Sequence, residues 1–356
     1  MEGDTNAVSV GIEGLGIYIP EGRHTAAYMA ERSGIPQDIL ETKFGLKSKT
    51  IAGPEEHNVT MACRASEIAL SRAGIDPRQI DVVVWAGEMY DKYLMQTYGI
   101  KLQNDIGATN AWAFDVNQRC CTFMLAINLV RGLLATDCGI NRVLIASGYR
   151  NCDLINYENK RSRFMINLAA SGAAIIVTRN HPENILLESK VMTDGSFAED
   201  VVVPGGGSGN PLTVAGGETT PPSAYNVIED KLYYLDVPDP PGMKARLENL
   251  SLSNFIKVID GVLTPRNLSR KDIDYLGLLH MKRSAFQFVA EQLGVDVKDQ
   301  TTYFDEFVHL GHMGQNDGIM AIEFGLKHNK IKKGDLIVLA AAGIGYSWGA
   351  ASIRWG

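Results

Sequence analysis

The segment FDVNQRCCTFMLAINLV, residues 114–130, runs from a short apolar strand straight into a nearly charge-free helix. Cys120 falls at or near the N-terminus of that helix, where unpaired N–H groups and the helix dipole favour a thiolate. A thiolate in that position is a nucleophile that can hold an acyl group covalently. Free cysteines are also often small buried residues, and the segment alone leaves both readings of Cys120 and Cys121 open. Three other residues have chemistry to offer: Glu88 and His280, each where an apolar strand runs out, and His312 in FVHLGHMGQNDGIMAIEFGL, a loop feeding an apolar-striped helix. His309, three residues before His312, is its rival.

An internal repeat connects these residues. GIDPRQIDVVVWAGE and NLSRKDIDYLGLLHM are each a turn followed by an apolar strand, with strands opening at Asp81 and Asp274, 193 residues apart. NRVLIASG around Val143 and GDLIVLAAAG around Leu336 keep the same 193-residue offset. SGAAIIVTR from Ser171 and WGAASIRW from Trp348 follow in the same order at a shorter offset. Three matched segments in order imply a duplicated unit. Moving 193 residues on from Cys120 gives position 313, beside His312; from Glu88 it gives 281, beside His280. Under a pseudo-twofold, Cys120 would face His312 and Glu88 would face His280 around one centre.

The elements that must position these groups alternate between strand and helix. Runs such as VVVWA and LIVLAAA suit strands buried on both faces. Thr60 to Arg72 has helical periodicity, with Met61, Ala65, Ile68 and Ala69 on one side, and Thr122 to Leu134 is almost wholly apolar. The expectation is an α/β protein of two halves, 1–180 and 241–356, with two sheets packed through shared central helices. Residues 181–240 contain PGGGSGNP, TTPPSAYN and DVPDPPG, and are expected to form a loop-rich insertion or flap.

Bulk properties exclude several classes. The chain has 356 residues, 45% hydrophobic and 21% charged, with net charge −7. That balance, without any Lys/Arg-rich run, argues against nucleic-acid binding. No long uncharged apolar stretch reads as a membrane span, and MEGDTNAVSV lacks the basic-then-apolar order of a signal peptide, so a cytoplasmic protein is expected. Five cysteines without export signals read as free thiols, and the seven histidines show no zinc-ligand spacing, so no metal is expected.

FDVNQRCCTF resembles the nucleophile segment of β-ketoacyl-ACP synthase III, roughly FDV-x-x-x-C-[SA]-G-F. Cys120 takes the cysteine's place, since Asp115 precedes it by five and Phe123 follows by three. GIEGLGIYIPEGR resembles that family's opening strand and GDLIVLAAAGIGYSWGAASIRW its closing strands. IDYLGLLHMKR fits the segment with the catalytic histidine, pointing to His280, and HLGHMGQNDG fits one that reads G-N-x-x-x-A-S. The resemblance implies the duplicated five-layered α-β-α-β-α thiolase fold and an active homodimer. Three departures stand out. His312 replaces the asparagine, making a Cys-His-His set that also occurs in thiolases. Met-Lys-Arg follows His280 where the relative has Gln-Ala-Asn. Glu88 lies 32 residues before Cys120, as does the acid/base glutamate of HMG-CoA synthases.

The expected activity is an acyltransferase that forms acyl-Cys120 and makes a C–C bond by Claisen-type condensation, with coenzyme A or phosphopantetheine thioesters as substrates and no bound cofactor. His280 and His312 would stabilise the enolate, Glu88 would move protons if burial raises its pKa, and backbone N–H groups near Gly343-Ile344-Gly345 would serve the acyl carbonyl. Glu88 could equally be a strand-end residue pairing with Lys92. Thiolytic cleavage of a β-ketoacyl-CoA and acyl transfer to an oxygen or nitrogen nucleophile are the alternatives, whereas the retained Cys120 argues against a non-catalytic subunit. Relatives with HMG-CoA-synthase-like sites also imply a small zinc-ribbon/OB-fold protein as a partner. Gly343-x-Gly345-x-x-x-Gly349 lacks the spacing and the following helix of a dinucleotide loop.

Overall fold

The computed structural model describes residues 8–211 and 227–356. In chain order, the first half comprises β1 (Val10–Tyr18), α1 (Asn58–Ala73), β2 (Val82–Ala86), α2 (Tyr98–Asp105), β3 (Trp112–Val116), α3 (Thr122–Thr136), β4 (Arg142–Tyr149) and β5 (Ser171–Arg179). The second half comprises β6 (Ile185–Thr193), α4 (Pro240–Leu263), β7 (Tyr275–Leu278), α5 (Arg283–Leu293), α6 (Asp317–Lys327), β8 (Leu336–Gly343) and β9 (Ser347–Arg354). Matched strands run β1/β6, β2/β7, β4/β8 and β5/β9. The repeat extends to single hydrogen bonds. Asp81 accepts the Arg142 N–H at 2.9 Å, and Asp274 accepts the Leu336 N–H at 2.8 Å. In each half the aspartate therefore fixes where the neighbouring parallel strand begins.

Strand order is β3-β2-β4-β5-β1-β6-β9-β8-β7. The two sheets expected from the repeat are joined into one nine-stranded sheet among the described residues. The joint is a single pair, Gly11 with Ile185, extended by the Ile12 N–H to Asn184 carbonyl bond at 3.0 Å. The counterpart of β3 on the outer edge of β7 is reduced to one bond, from the Leu276 N–H to the Gln300 carbonyl at 2.9 Å.

Continuous apolar strands bury both faces by their alternation. Val82, Val84 and Ala86 of β2 join the central core, which also holds Phe123, Ile127 and Val130 of α3. Val83 and Trp85 face the opposite way, onto Ala62, Ala65 and Ala69 of α1. Helices α3 and α6 form the middle layer between the half-sheets, and α1/α2 and α4/α5 cover the outer faces. By length and composition the segment Arg119–Thr136 is apolar enough to cross a membrane. It carries Arg119 and Arg131, and its buried side chains Phe123, Ile127 and Val130 belong to the central core.

Residues 181–240 are corrected as well. They open with β6, hydrogen-bonded to β9 along its length, so loop character starts only after Thr193. ILLESKVMT interleaves polar residues with apolar ones, and the downstream Pro/Gly clusters mask its strand character. TTPPSAYN lies outside the described residues. Asp239 caps α4, accepting the Gly242 N–H at 3.1 Å, with proline at the first helical position.

Helix α1 lies unusually close to the sheet. A Cβ at Gly172 would collide with the Met61 carbonyl, and one at Gly148 with the Asn58 carbonyl. Gly172→Val is expected to lower stability by about 1–3 kcal/mol, measured as a fall in thermal midpoint. Gly207→Val, where a Cβ meets nothing within 4 Å among the described residues, should leave the midpoint unchanged.

Candidate active site

The chain leaves β3 and turns sharply into α3. Arg119 takes φ 52°, a left-handed conformation costly for a residue with a side chain, and Arg119–Cys121 form one turn of 3₁₀ helix. Thr122 ties the turn together: its hydroxyl accepts the Gln118 N–H at 2.8 Å and donates to the Arg119 carbonyl at 2.5 Å. Cys120 is presented at the start of the central helix, 7% exposed. Cys121 points into the core instead, and burial pushes its thiol up to about 12. Burial likewise holds Cys63 up at about 12 and Cys152 at about 11.

His312 meets Cys120 from the other half. Its Nε2 lies 3.2 Å from the Cys120 sulfur. Its Nδ1 donates to Asp317 Oδ2 at 2.6 Å. A parallel bridge pins the loop: the His312 N–H bonds the Asn167 carbonyl at 2.8 Å, and the Ala169 N–H bonds the His312 carbonyl at 2.9 Å. Burial by itself would push His312 down, but the Asp317 carboxylate and the Cys120 sulfur reverse this and hold it up, at about 10. The pair therefore favours an imidazolium beside a sulfur at a helix N-terminus.

His280 lines the same cavity as Cys120 and His312 but has different partners. Its Nδ1 pairs with the Asn167 side-chain amide at 2.9 Å, and its Nε2 is 3.4 Å from the Gly45 carbonyl. With the Asn167 amide as donor, Nδ1 accepts and Nε2 carries the hydrogen. The ring stacks on Tyr303 with centroids 5.4 Å apart. Burial pushes His280 down to about 4, so it is neutral at physiological pH.

Glu88 and His280 line the same cavity, and Glu88 pairs with Arg119 rather than Lys92. It is 3% exposed and bound to Arg119 at 2.7 Å. Arg119, next to the nucleophile, is thus the partner of the carboxylate. Gly343 lines the Cys120 cavity, while Gly345 lines a neighbouring one. A Cβ at Gly343 would strike the Gln118 carbonyl, so glycine lets β8 approach the nucleophile turn. His309 is exposed; the rivalry resolves toward His312.

The Cys120 cavity measures about 330 Å³ and is walled by apolar groups such as Phe164, Leu247, Leu252 and Phe255. Four groups in or beside it were not singled out from sequence: Asp317, Asn167, Asn151 and Tyr149. The Tyr149 hydroxyl and the Asn151 side chain interact with each other at the cavity wall, and neither the hydroxyl nor Asn151 Oδ1 makes a well-formed hydrogen bond among the described residues. A polar ligand group can complete their bonding, since a buried polar group left unmade costs roughly 1–3 kcal/mol. Asp317 carried one sequence signal, an acidic residue opening an apolar helix. Among the described residues no cluster of three or more His, Cys, Asp or Glu side chains could hold a metal.

A duplicated frame with a cysteine at the start of one central helix, facing an apolar cavity, defines an acyltransferase of the thiolase fold. Residues 114–195 match the family profile 3-Oxoacyl-[acyl-carrier-protein (ACP)] synthase III, and residues 263–355 match its C-terminal profile. The β-ketoacyl-[acyl-carrier-protein] synthase III of Clostridioides difficile is 27% identical over 346 residues, covering 97% of this chain and 98% of that one. That of Aliarcobacter butzleri is 25% identical over 341 residues, 96% of each chain. The crystal structure of 3-oxoacyl-[acyl-carrier-protein] synthase III from Aquifex aeolicus superposes with TM-score 0.80 at 19% identity, covering 97% of this chain and all of that one. Xanthomonas campestris OleA superposes with TM-score 0.76 at 16% identity, covering 98% of this chain and all of that one. Over nearly its whole length the chain is thus similar to β-ketoacyl-ACP synthase III, and it has the fold of those enzymes.

Two outcomes follow from the histidines. His312 keeps its proton up to about pH 10, and this imidazolium lies 3.2 Å from the Cys120 sulfur, so His312→Ala should slow alkylation of Cys120 by iodoacetamide at pH 7, read by peptide mass spectrometry. His280 is depressed from 6.5 to about 4, so its contribution is complete above 6.5 and is lost as pH falls to 4. The loss is on the order of 3 kcal/mol. The thermal midpoint should therefore drop across that window, and drop less in His280→Gln.

Proposed function

We propose that this protein takes an acyl group from a thioester onto Cys120 and joins it to a second thioester in a Claisen-type condensation. The observation that carries this reading is the 3.2 Å approach of His312 Nε2 to the Cys120 sulfur at the head of the central helix. Acylation begins with attack of the thiolate on the thioester carbonyl. His312 gives its proton to the departing thiol. His280, whose Nε2–H has only the long 3.4 Å contact to the Gly45 carbonyl, and the Tyr149 hydroxyl in the same cavity wall are the donors that can turn to an oxyanion. Glu88, held by Arg119, shapes the junction of the Cys120 cavity and its neighbour, which share both residues. The acyl donor is a coenzyme A or phosphopantetheine thioester, whose acyl chain suits the apolar walls of the Cys120 cavity.

The homodimer reading draws support from the surface. Met89, Tyr93, Leu94 and Met95 are exposed, and Trp112 is half exposed on edge strand β3, stacked on Phe114 with centroids 5.4 Å apart. Exposed apolar side chains, and a sheet edge that has no outer partner among the described residues, fit a second copy of the chain.

Incubation with a panel of acyl-CoAs and intact-protein mass spectrometry tests the first step. The expected result is one acyl adduct, lost in Cys120→Ala together with activity. A panel that leaves no adduct on the wild type, or undiminished activity in Cys120→Ala, overturns the reading. Discharge of the adduct by free CoA alone would assign thiolysis, and discharge only to an alcohol or amine would assign acyl transfer to oxygen or nitrogen.

A further inference from the structure

The proposal of an acyl-Cys120 enzyme leaves the second substrate unspecified, and the surroundings of His312 bear on it. A carbanion can be supplied in two ways. A malonyl-type thioester yields it by losing CO₂, which needs hydrogen-bond donors but no base. A thioester that keeps both α-hydrogens yields it only if a base removes one.

The residue at the serine position of the G-N-x-x-x-A-S pattern is Asp317. It is 1% exposed and its carboxylate is aimed at the far nitrogen of the histidine that touches the nucleophile, at 2.6 Å. Its orientation is fixed by two further donors on the same carboxylate, the His280 N–H at 2.7 Å and the Met313 N–H at 2.8 Å. A fixed carboxylate behind an imidazole holds the ring's tautomer and strengthens the opposite nitrogen as a proton acceptor. An enolate oxygen needs only an N–H in this place, which an amide side chain would supply without a carboxylate.

We infer that His312, positioned by Asp317, removes an α-proton from the second thioester, so that the carbon nucleophile is an unactivated acyl thioester rather than a malonyl-type one. This inference rests on the acyl-Cys120 reading above. The cycle closes without another reagent. The Cys120 thiolate attacks the first thioester, the carbon–sulfur bond to the carrier breaks, and the carrier thiolate takes the proton of the His312 imidazolium and leaves as a thiol. Neutral His312 then takes the α-proton of the second thioester. The carbanion attacks the acyl-Cys120 carbonyl, a C–C bond forms, and the bond to Cys120 breaks with its electron pair on sulfur. Thiolate and imidazolium are restored, and the products are one β-ketoacyl thioester and one thiol.

The test uses preformed acyl-enzyme, made with an acyl-CoA that loads Cys120 and freed of excess donor. It is mixed with acetyl-CoA or with malonyl-CoA in a single turnover, and acetyl-CoA is also incubated with it in D₂O. Acetyl-CoA is expected to discharge the wild-type adduct as a β-ketoacyl-CoA and to gain deuterium at its methyl carbon. Asp317→Asn and His312→Gln should each slow discharge by acetyl-CoA and methyl exchange by about 100-fold or more. Asp317→Glu, which keeps the carboxylate, should recover part of both, a rescue that a purely structural loss would not show. The inference is overturned if malonyl-CoA discharges the adduct and acetyl-CoA does not, if neither does, or if Asp317→Asn discharges acetyl-CoA at the wild-type rate. Failure to form the adduct at all is read in the earlier step and counts against the acyl-Cys120 reading itself.

Discussion

The Asp317 carboxylate is enclosed by protein and receives three hydrogen bonds, from the His312 ring, the His280 N–H and the Met313 N–H. A buried charge must be paired and hydrogen-bonded to be tolerated, so these donors are obligatory for one another. The end of β7, the His312 loop and the start of α6 must therefore meet at one point. The Cys120 contact inherits its geometry from that meeting, because the His312 ring can satisfy Asp317 with Nδ1 only by turning Nε2 outward, toward the sulfur.

The duplicated frame explains why such a point exists between the halves. Helices α3 and α6 share the middle layer, and each is entered through a single 3₁₀ turn, Arg119–Cys121 and Gly314–Asn316. The start of α3 and the loop that leads into α6 thus meet at one cavity, through Cys120 and His312, and each half adapts its turn differently. The first uses a left-handed Arg119 and the Thr122 hydroxyl to present a thiol. The second uses Gly311, at φ 77°, and Gly314, at φ 63° against the Tyr149 ring, to present an imidazole. The two histidines are then driven to opposite charge states. His280 lies between aromatic rings with an amide for a partner, and His312 lies between a carboxylate and a sulfur.

Much of this arrangement was legible because duplication converts sequence spacing into spatial opposition. The 193-residue offset put Cys120 opposite His312, and the two are in contact. The same offset linked Glu88 with His280, and both line the Cys120 cavity. Pseudo-symmetry aligns backbones but not side-chain partners, so the offset gave no sign that Arg119 would pair with Glu88. Strand β6 was hidden for another reason: its faces are only partly buried, so its composition resembles the loops that follow it.

The sequence by itself determined the strand–helix alternation, the repeat, and Cys120 at the head of an apolar helix, because periodicity and helix-end chemistry are local properties written into neighbouring residues. Tertiary structure alone decided which groups surround that cysteine. Asn167 and Tyr149, 47 and 29 residues from Cys120, carry no motif of their own, and Asp317, 197 residues on, is marked only as an acidic residue opening an apolar helix. Their importance comes from exclusion of water, which makes a carboxylate 2.6 Å from an imidazole a fixed electrostatic partner, and that exclusion exists only once both halves have closed around the central helices.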